Sequence, residues 1–405
     1  MPKSNQPSYQ TAFSLFVILF FMWAFLTEMN GVLVPFVKKV FDFGYTQAIL
    51  VQFCFFIAFA LMAIPASRIL DRIGYRKGII LGLCTMAVGC LLFVPASMTV
   101  MFPLFLGALF ILATGVTMLQ VAANPYVAVL GAPEKAASRL NLAQGFNSVA
   151  KTIAPFFGAY FILKGLSGLP QAEAAAAVQM PYVGLAIALL AVALIFFFIP
   201  LPDIKDLEGM QDTNSETDKR TIWDFPHLKL GAIAIFMYVG AEVAVASYMI
   251  NFAGLDHIAG LEESEAGRFL SFYWGGLMVG RFLGAGLLQT MKSHALLAFN
   301  AVLAIVLLIA AVMLSGPAAM WCLIILGLCN SIMWGNIFTL AIDGLGPLTA
   351  KGSGLLVTAI VGGAVVPLLM GILADTFGLQ PSYLLLVGCY GYILFYGLKG
   401  YAAKA

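Results

Sequence analysis

Charge is what this chain has least of. Of its 405 residues, 10% are Asp, Glu, Lys or Arg, against roughly 25% in an ordinary soluble domain. Hydrophobic residues make up 62%. A soluble fold of this length has no interior large enough to hide them, so the solvent is lipid. Histidine is scarce as well: His227, His257 and His294 are scattered, which argues against a metal site. The six cysteines, Cys54, Cys84, Cys90, Cys322, Cys329 and Cys389, lie in apolar runs without the paired spacing of a zinc or redox motif. They read as small packing residues. A basic tract is missing, and a net charge of +2 leaves no footprint for nucleic acid. A cleavable leader is not evident either, because the first apolar run is long and lacks a small-residue cleavage site. A convergent nucleophile, base and metal set is absent, which disfavours an enzyme and leaves the cofactor list empty.

What is present is a series of apolar segments, each about the ~20 residues that a membrane span needs. Twelve are expected, at 12–37, 47–69, 78–97, 100–130, 140–163, 181–200, 230–254, 265–289, 294–314, 317–342, 352–374 and 382–401. The one long polar stretch, 203–229, follows the sixth and divides the chain into a bundle over 1–202, a linker, and a bundle over 230–405. The fold class expected is therefore an all-α membrane protein with twelve transmembrane helices in two six-helix bundles. Lys and Arg collect in alternate loops: Arg68, Arg72, Arg76 and Lys77; Lys135 and Arg139; Lys205, Lys219, Arg220 and Lys229; then Lys292, Lys351, Lys399 and Lys404. Opposite them stand little more than Lys38, Lys39, Lys164 and Arg268. The positive-inside rule then puts both termini in the cytoplasm.

The halves repeat. At an offset of 212 residues Gly115 matches Gly327, Asn124 matches Asn336, Arg139 matches Lys351 and Pro155 matches Pro367. Ser67–Leu70 is similar to Gly280–Leu283, Phe21-Met22-Trp23 to Phe236-Met237-Tyr238, and Glu28 pairs with Glu242, all at nearly the same spacing. A parallel duplication of this kind places a transported substrate near the midplane. It suits alternating access better than a fixed pore. Glu28 and Glu242 lie deep in their spans, where a charge costs a few kcal/mol and marks an ion or substrate path.

The loop between the second and third segments reads Ser67-Arg68-Ile69-Leu70-Asp71-Arg72-Ile73-Gly74-Tyr75-Arg76-Lys77. It resembles the signature loop of the major facilitator superfamily, with Gly74 allowing a tight turn and the basic residues holding the loop in the cytoplasm. Phe25-Leu26-Thr27 with Asn30, Leu33 and Pro35–Lys39 resembles the first helix of the fucose:proton symporter family, which includes bacterial glucose/galactose transporters. So do Leu50–Phe53, Ala63–Ala66, Ala122–Val127, Ser138–Ser148 and Val361–Pro367. The resemblance covers the whole chain and is stronger in the first half. It implies a monomeric facilitator in the bacterial inner membrane, taking up a sugar by alternating access.

The residues fit a sugar site in their own right. Gln52, Gln120, Asn124, Gln144 and Asn147 are neutral amides on apolar helices, with both donors and acceptors for hydroxyl groups. Helical spacing puts Gln144 and Asn147 on one face, and Gln120 and Asn124 on another. Asn251, Trp274, Asn330, Trp334 and Asn336 are the second-half candidates, the tryptophans to stack on a pyranose ring. Amides that glue helices together and tryptophans that anchor at the interface are the competing readings. Glu242 is either a sugar ligand or a titrating group. Arg281 is expected at a helix terminus or beside a cytoplasmic acid rather than on sugar.

The family's proton chemistry rests on an acid in helix one and another in helix four. At those places stand Gly31 and Gln120. Glu28, one turn before Gly31, can reach the same region, and Lys151 shares a helix with Gln144 and Asn147. Three readings follow. Glu28 is a Na⁺ ligand with Asn30, Gln120 and Asn124 as oxygen neighbours, the slightly favoured one. Glu28 or Glu242 cycles a proton. Or Glu28 pairs with Lys151 in an uncoupled sugar uniporter. A drug/proton antiporter on the same fold is the alternative function, which the ring of amides disfavours. The glycine runs Gly352–Gly354 and Gly362-Gly363 lack the strand and lysine of a phosphate loop.

Overall fold

The computed structural model describes residues 9–43, 50–164, 169–199, 201 and 220–402, without the side chains of Tyr9, Asn30, Pro35, Lys38, Glu263 and Ser264. Linker residues 203–219 lie outside the described residues. Among the described residues twelve long helices follow one another: α1 Tyr9–Phe41, α2 Leu50–Ile73, α3 Tyr75–Thr99, α4 Phe102–Val129, α5 Ala136–Gly158, α6 Gln179–Phe198, α7 Pro226–Ala253, α8 Glu263–Leu287, α9 Ser293–Met313, α10 Pro317–Ile342, α11 Gly346–Phe377 and α12 Leu379–Leu398. Among the described residues there is no strand.

Ten of these helices are long and apolar enough to cross a membrane. The two outside that group, α5 and α8, are threaded with Asn141, Gln144, Asn147 and Lys151, and with Glu265, Arg268 and Arg281. Large apolar side chains stand exposed along the bundles, Phe156, Met180, Phe198 and Phe377 among them. Helices that are apolar all round turn such faces to lipid.

Contacts divide the chain into two compact units. The first holds α1 to α4, the C-terminal part of α5 from Val149, and α6. Within it α3 packs on α4 and α6, and α4 also meets α1 and α2. Phe16 stacks on Tyr126 with ring centroids 4.5 Å apart. The second unit holds α7 to α12 together with Gly131–Ser148, so the N-terminal part of α5 groups with it although the chain order puts that helix in the first half. Within it α9 packs on α10 and α12, and α10 also meets α7 and α8. These contacts repeat between the units, with α7, α8, α9, α10 and α12 standing for α1, α2, α3, α4 and α6.

The signature loop is a one-residue turn. Gly74 sits at φ +80°, and a Cβ there would meet nothing within 4 Å. The left-handed backbone, not lack of room, requires glycine. Arg76 then reaches from the start of α3 to the end of α6, where Nε donates to the Phe196 carbonyl at 3.0 Å and Nη2 to that of Phe197. A guanidinium at a helix C-terminus satisfies orphan carbonyls and complements the dipole.

Candidate functional site

In the first unit the candidate side chains sit on four helices. Gln52 on α2, Gln120 on α4 and Glu28 on α1 are half-buried, and Lys151 on α5 likewise. Asn124 is fully buried; its Nδ2 donates to the Gln120 carbonyl at 2.9 Å, while its Oδ1 receives no hydrogen bond. A Cβ on Gly31, one turn from Glu28, would meet nothing within 4 Å. The Asn30 side chain, foreseen beside Glu28, lies outside the described residues.

The second unit is built around a break in α10. Its helical turns run Pro317–Asn330 and resume at Met333–Ile342. A broken helix at membrane depth frees carbonyls that must find other donors. Here three neighbours supply them. Asn300 of α9 donates through Nδ2 to the Cys329 carbonyl at 3.1 Å, Tyr238 of α7 to that of Asn330 at 3.1 Å, and Arg281 of α8 through Nε to that of Ser331 at 3.3 Å. The Asn330 side chain completes the knot, its Nδ2 donating to the Tyr273 hydroxyl at 2.9 Å and its Oδ1 accepting from Tyr390 at 2.7 Å. Tyr273 in turn donates to the backbone carbonyl of Glu242 at 3.3 Å.

The N-terminal part of α5 is tied to this framework at three levels. Ser138 donates to the Ala285 carbonyl at 2.6 Å. Asn141 donates through Nδ2 to Oδ1 of Asn336 at 3.0 Å, and Asn336 passes its own Nδ2 to the Ser293 carbonyl at 3.0 Å. Arg281 donates through Nη1 to the Gln144 carbonyl at 3.1 Å and to Ser148 Oγ at 2.6 Å. Arg281 is 3% exposed, so these oxygens stand in for the water its charge has lost. Its place at the end of the first stretch of α10 agrees with the helix-terminus expectation.

The candidate residues therefore fall into different situations. Gln144 and Asn147 are buried on α5, with the Gln144 backbone in the Arg281 contact. Asn330 and Asn336 are fully buried and each has both amide groups engaged by protein. Trp334 is buried with Nε1 unbonded and its ring stacked on Phe338 at 6.0 Å. Trp274 is half-buried, its ring 5.2 Å from that of Tyr273, and Asn251 is exposed near the end of α7. Glu242 is 8% exposed and its Oε1 receives no hydrogen bond. Tyr238, Tyr273, Tyr390, Asn141 and Ser148 were not among the sequence candidates. Their one advance signal is a polar atom inside an otherwise apolar span. Among the described residues no group of three His, Cys, Asp or Glu side chains is placed to hold a metal ion. The arrangement offers neutral amide and hydroxyl donors and acceptors beside two ionisable side chains, Arg281 and Glu242, and the chemistry available to it is reversible hydrogen bonding.

Comparison with known proteins supplies the frame. Residues 12–360 match the family model described as Major Facilitator Superfamily. The chain is 48% identical to a glucose/galactose transporter of Brucella abortus, over 98% of this chain and 96% of that one. It is 32% identical to the L-fucose-proton symporter of Escherichia coli K12, over 93% and 89% of the two. A crystal structure of the E. coli fucose:proton symporter superimposes with a TM-score of 0.87 at 31% identity, over 96% of this chain and 98% of the other.

Proposed function

The chain belongs to the Major Facilitator Superfamily, in its fucose:proton symporter family, and from that premise we propose that it imports a hexose-type monosaccharide by cation-coupled symport with alternating access. The observation that carries this reading is the 48% identity to a glucose/galactose transporter over nearly the full length of both chains. The amides of Gln52, Gln120, Asn124, Gln144 and Asn147 support it, because a hydroxyl-rich ligand needs donors and acceptors without net charge. In the second unit Trp274 and Trp334 are the aromatic platforms, and Asn251 is the amide with room to bind. Asn330 and Asn336 act as glue that shapes the site. The chain works as a single copy in the bacterial inner membrane, with both termini in the cytoplasm as the loop charges require.

Glu28 is the coupling group, beside the open space at Gly31, with Asn30 and Lys151 as its helpers. A proton is the coupling ion favoured by the relatives, two of which, from Escherichia coli and Haemophilus influenzae, are named L-fucose-proton symporters; none of these names supports sodium. The sodium reading rests on the replacement of both family acids by Gly31 and Gln120, which removes the proton carriers that the resemblance implies. Uptake into proteoliposomes decides, with Na⁺ and pH gradients imposed separately and D-glucose, D-galactose and L-fucose offered in turn. Uptake driven by a pH gradient without Na⁺ supports the proton. Uptake driven by Na⁺ at fixed pH replaces it with sodium, and indifference to both leaves a uniporter. No uptake of any sugar overturns the reading as a whole.

A further inference from the structure

Glu242 is the loose end of the polar knot around the α10 break. Its carboxylate is 8% exposed, and Oε1 has no hydrogen-bond donor. The donors nearby are committed elsewhere. Tyr238 gives its proton to the Asn330 carbonyl, although its phenol also lies within reach of the carboxylate. Tyr273 gives its proton to the Glu242 backbone, and Tyr390 gives its own to the Asn330 side chain. Arg281 is held by Ser331, Gln144 and Ser148. A buried acceptor left without a donor costs free energy unless a ligand supplies the missing hydrogen. Arg281 brings a positive charge into the same knot, since its Nε donates to the Ser331 carbonyl next to the Asn330 carbonyl that Tyr238 holds. Carboxylate and guanidinium together carry no net charge.

We propose that Glu242 is a specificity residue: its Oε1 accepts one particular hydroxyl of the sugar, and its balance with Arg281 restricts the site to uncharged monosaccharides. This rests on the sugar-import reading and names the class of sugar. A neutral hydroxyl fills the acceptor and leaves the charge balance intact. The ammonium of an amino sugar meets Arg281 as a like charge, and the carboxylate of a uronate meets Glu242 in the same way. Like charges in a low-dielectric interior repel strongly. Trp274, half-buried next to Tyr273, offers a ring face for the apolar side of the pyranose.

The test is counterflow into proteoliposomes with D-glucose, D-galactose and each singly deoxygenated form of the better substrate, for the wild type and Glu242→Gln. In the wild type one deoxy sugar has a KM at least about 10-fold above its parent, the usual consequence of losing a hydrogen bond to a charged group. In Glu242→Gln the parent's KM rises by a similar factor, and that one deoxy penalty shrinks to about 2-fold while the others stay. D-glucuronate, which competes poorly against the wild type, competes better against the variant, because Arg281 is then uncompensated. Equal deoxy patterns in both proteins, or unchanged glucuronate competition, overturn the proposal while leaving sugar import standing. A wild type that exchanges neither hexose overturns both. Should Glu242→Gln not yield monodisperse protein, Glu242→Asp carries the test. It keeps the charge but draws the acceptor back, so KM rises with the same deoxy sugar singled out; a pattern that moves to another hydroxyl or disappears sinks the assignment.

Discussion

Helices α4 and α10 are counterparts in the duplication and are built differently at the same level. Counting back 212 residues from Cys329, Asn330 and Ser331 gives Thr117, Met118 and Leu119. α4 runs unbroken through those residues, which pack as buried apolar or self-bonded groups. α10 breaks there, and its freed carbonyls are taken by α7, α8 and α9. In the first unit Asn124 makes a single bond within its own helix and leaves Oδ1 unused. The other spends Asn330 and Asn336 on cross-links. One plan, duplicated, thus carries Asn124 bonded within its own helix in one half and, in the other, Asn330 and Asn336 bonded across helices.

The sharpest way to break that comparison is through the two acids. Glu28→Gln should retain sugar binding within about 3-fold yet lose uphill accumulation by at least about 10-fold, because a group that carries the coupling ion no longer can. Glu242→Gln should raise KM but still concentrate sugar at saturating supply. Accumulation ratios in proteoliposomes check both, and normal accumulation by Glu28→Gln would remove it from the coupling role. Next come the amides. Asn330→Leu takes the donor from the Tyr273 hydroxyl and the acceptor from that of Tyr390 and should cost about 2–3 kcal/mol, on the scale of two buried hydrogen bonds between membrane helices. Asn124→Leu removes one intrahelical bond and an unbonded oxygen. It should cost under about 1 kcal/mol and instead impair transport. Thermal unfolding in detergent beside counterflow rates separates the two outcomes, and equal stability losses would erase the distinction between the halves.

Much of this was legible in the sequence. Span length and the repeat offset are properties of local composition, so the twelve helices and the duplication could be read from them. The tight turn at Gly74 was readable because glycine there answers a backbone need. The α10 break was not. Asn330 and Ser331 bring neither proline nor glycine, and the break persists because donors from three other helices meet its carbonyls, a tertiary effect that no window of sequence contains. The same holds for amide roles: Asn124 and Asn336 are equivalent by spacing, and their different partners separate them. The grouping of Gly131–Ser148 with the second unit was hidden because α5 is continuous in the chain while its contacts change along its length.

Duplicated glycines test how far the symmetry of packing goes. A Cβ on Gly115 would come within 2.6 Å of Gly82 and Met86 backbone atoms of α3, and one on Gly327 within 2.2 Å of the Tyr273 carbonyl of α8. Backbone cannot step aside as a side chain can, so Gly115→Ala and Gly327→Ala should each cost about 1–3 kcal/mol. Comparable drops in unfolding temperature would show that both helices need close approach, though to different neighbours. A drop confined to Gly327→Ala would place the tight packing in the second half alone.

The smallest effect concerns the start of that second half. Just before α7 the Thr221 amide and hydroxyl donate to Asp224 Oδ2 at 2.7 and 3.0 Å. These bonds hold the exposed Asp224 carboxyl below its ordinary value, with Lys229 and Arg220 adding a little. A carboxyl lowered on folding stabilises the cap fully above its unfolded value of about 4, and that contribution disappears as the pH falls through the lower folded value. Hydrogen exchange at the Thr221 amide, corrected for intrinsic rate, should show protection that is flat from neutral pH to about 4 and declines below it. Asp224→Asn should abolish the decline by removing the titrating group. If protection persists unchanged into strong acid, the second half's first helix is held by its packing on α10 and α12 and not by the cap.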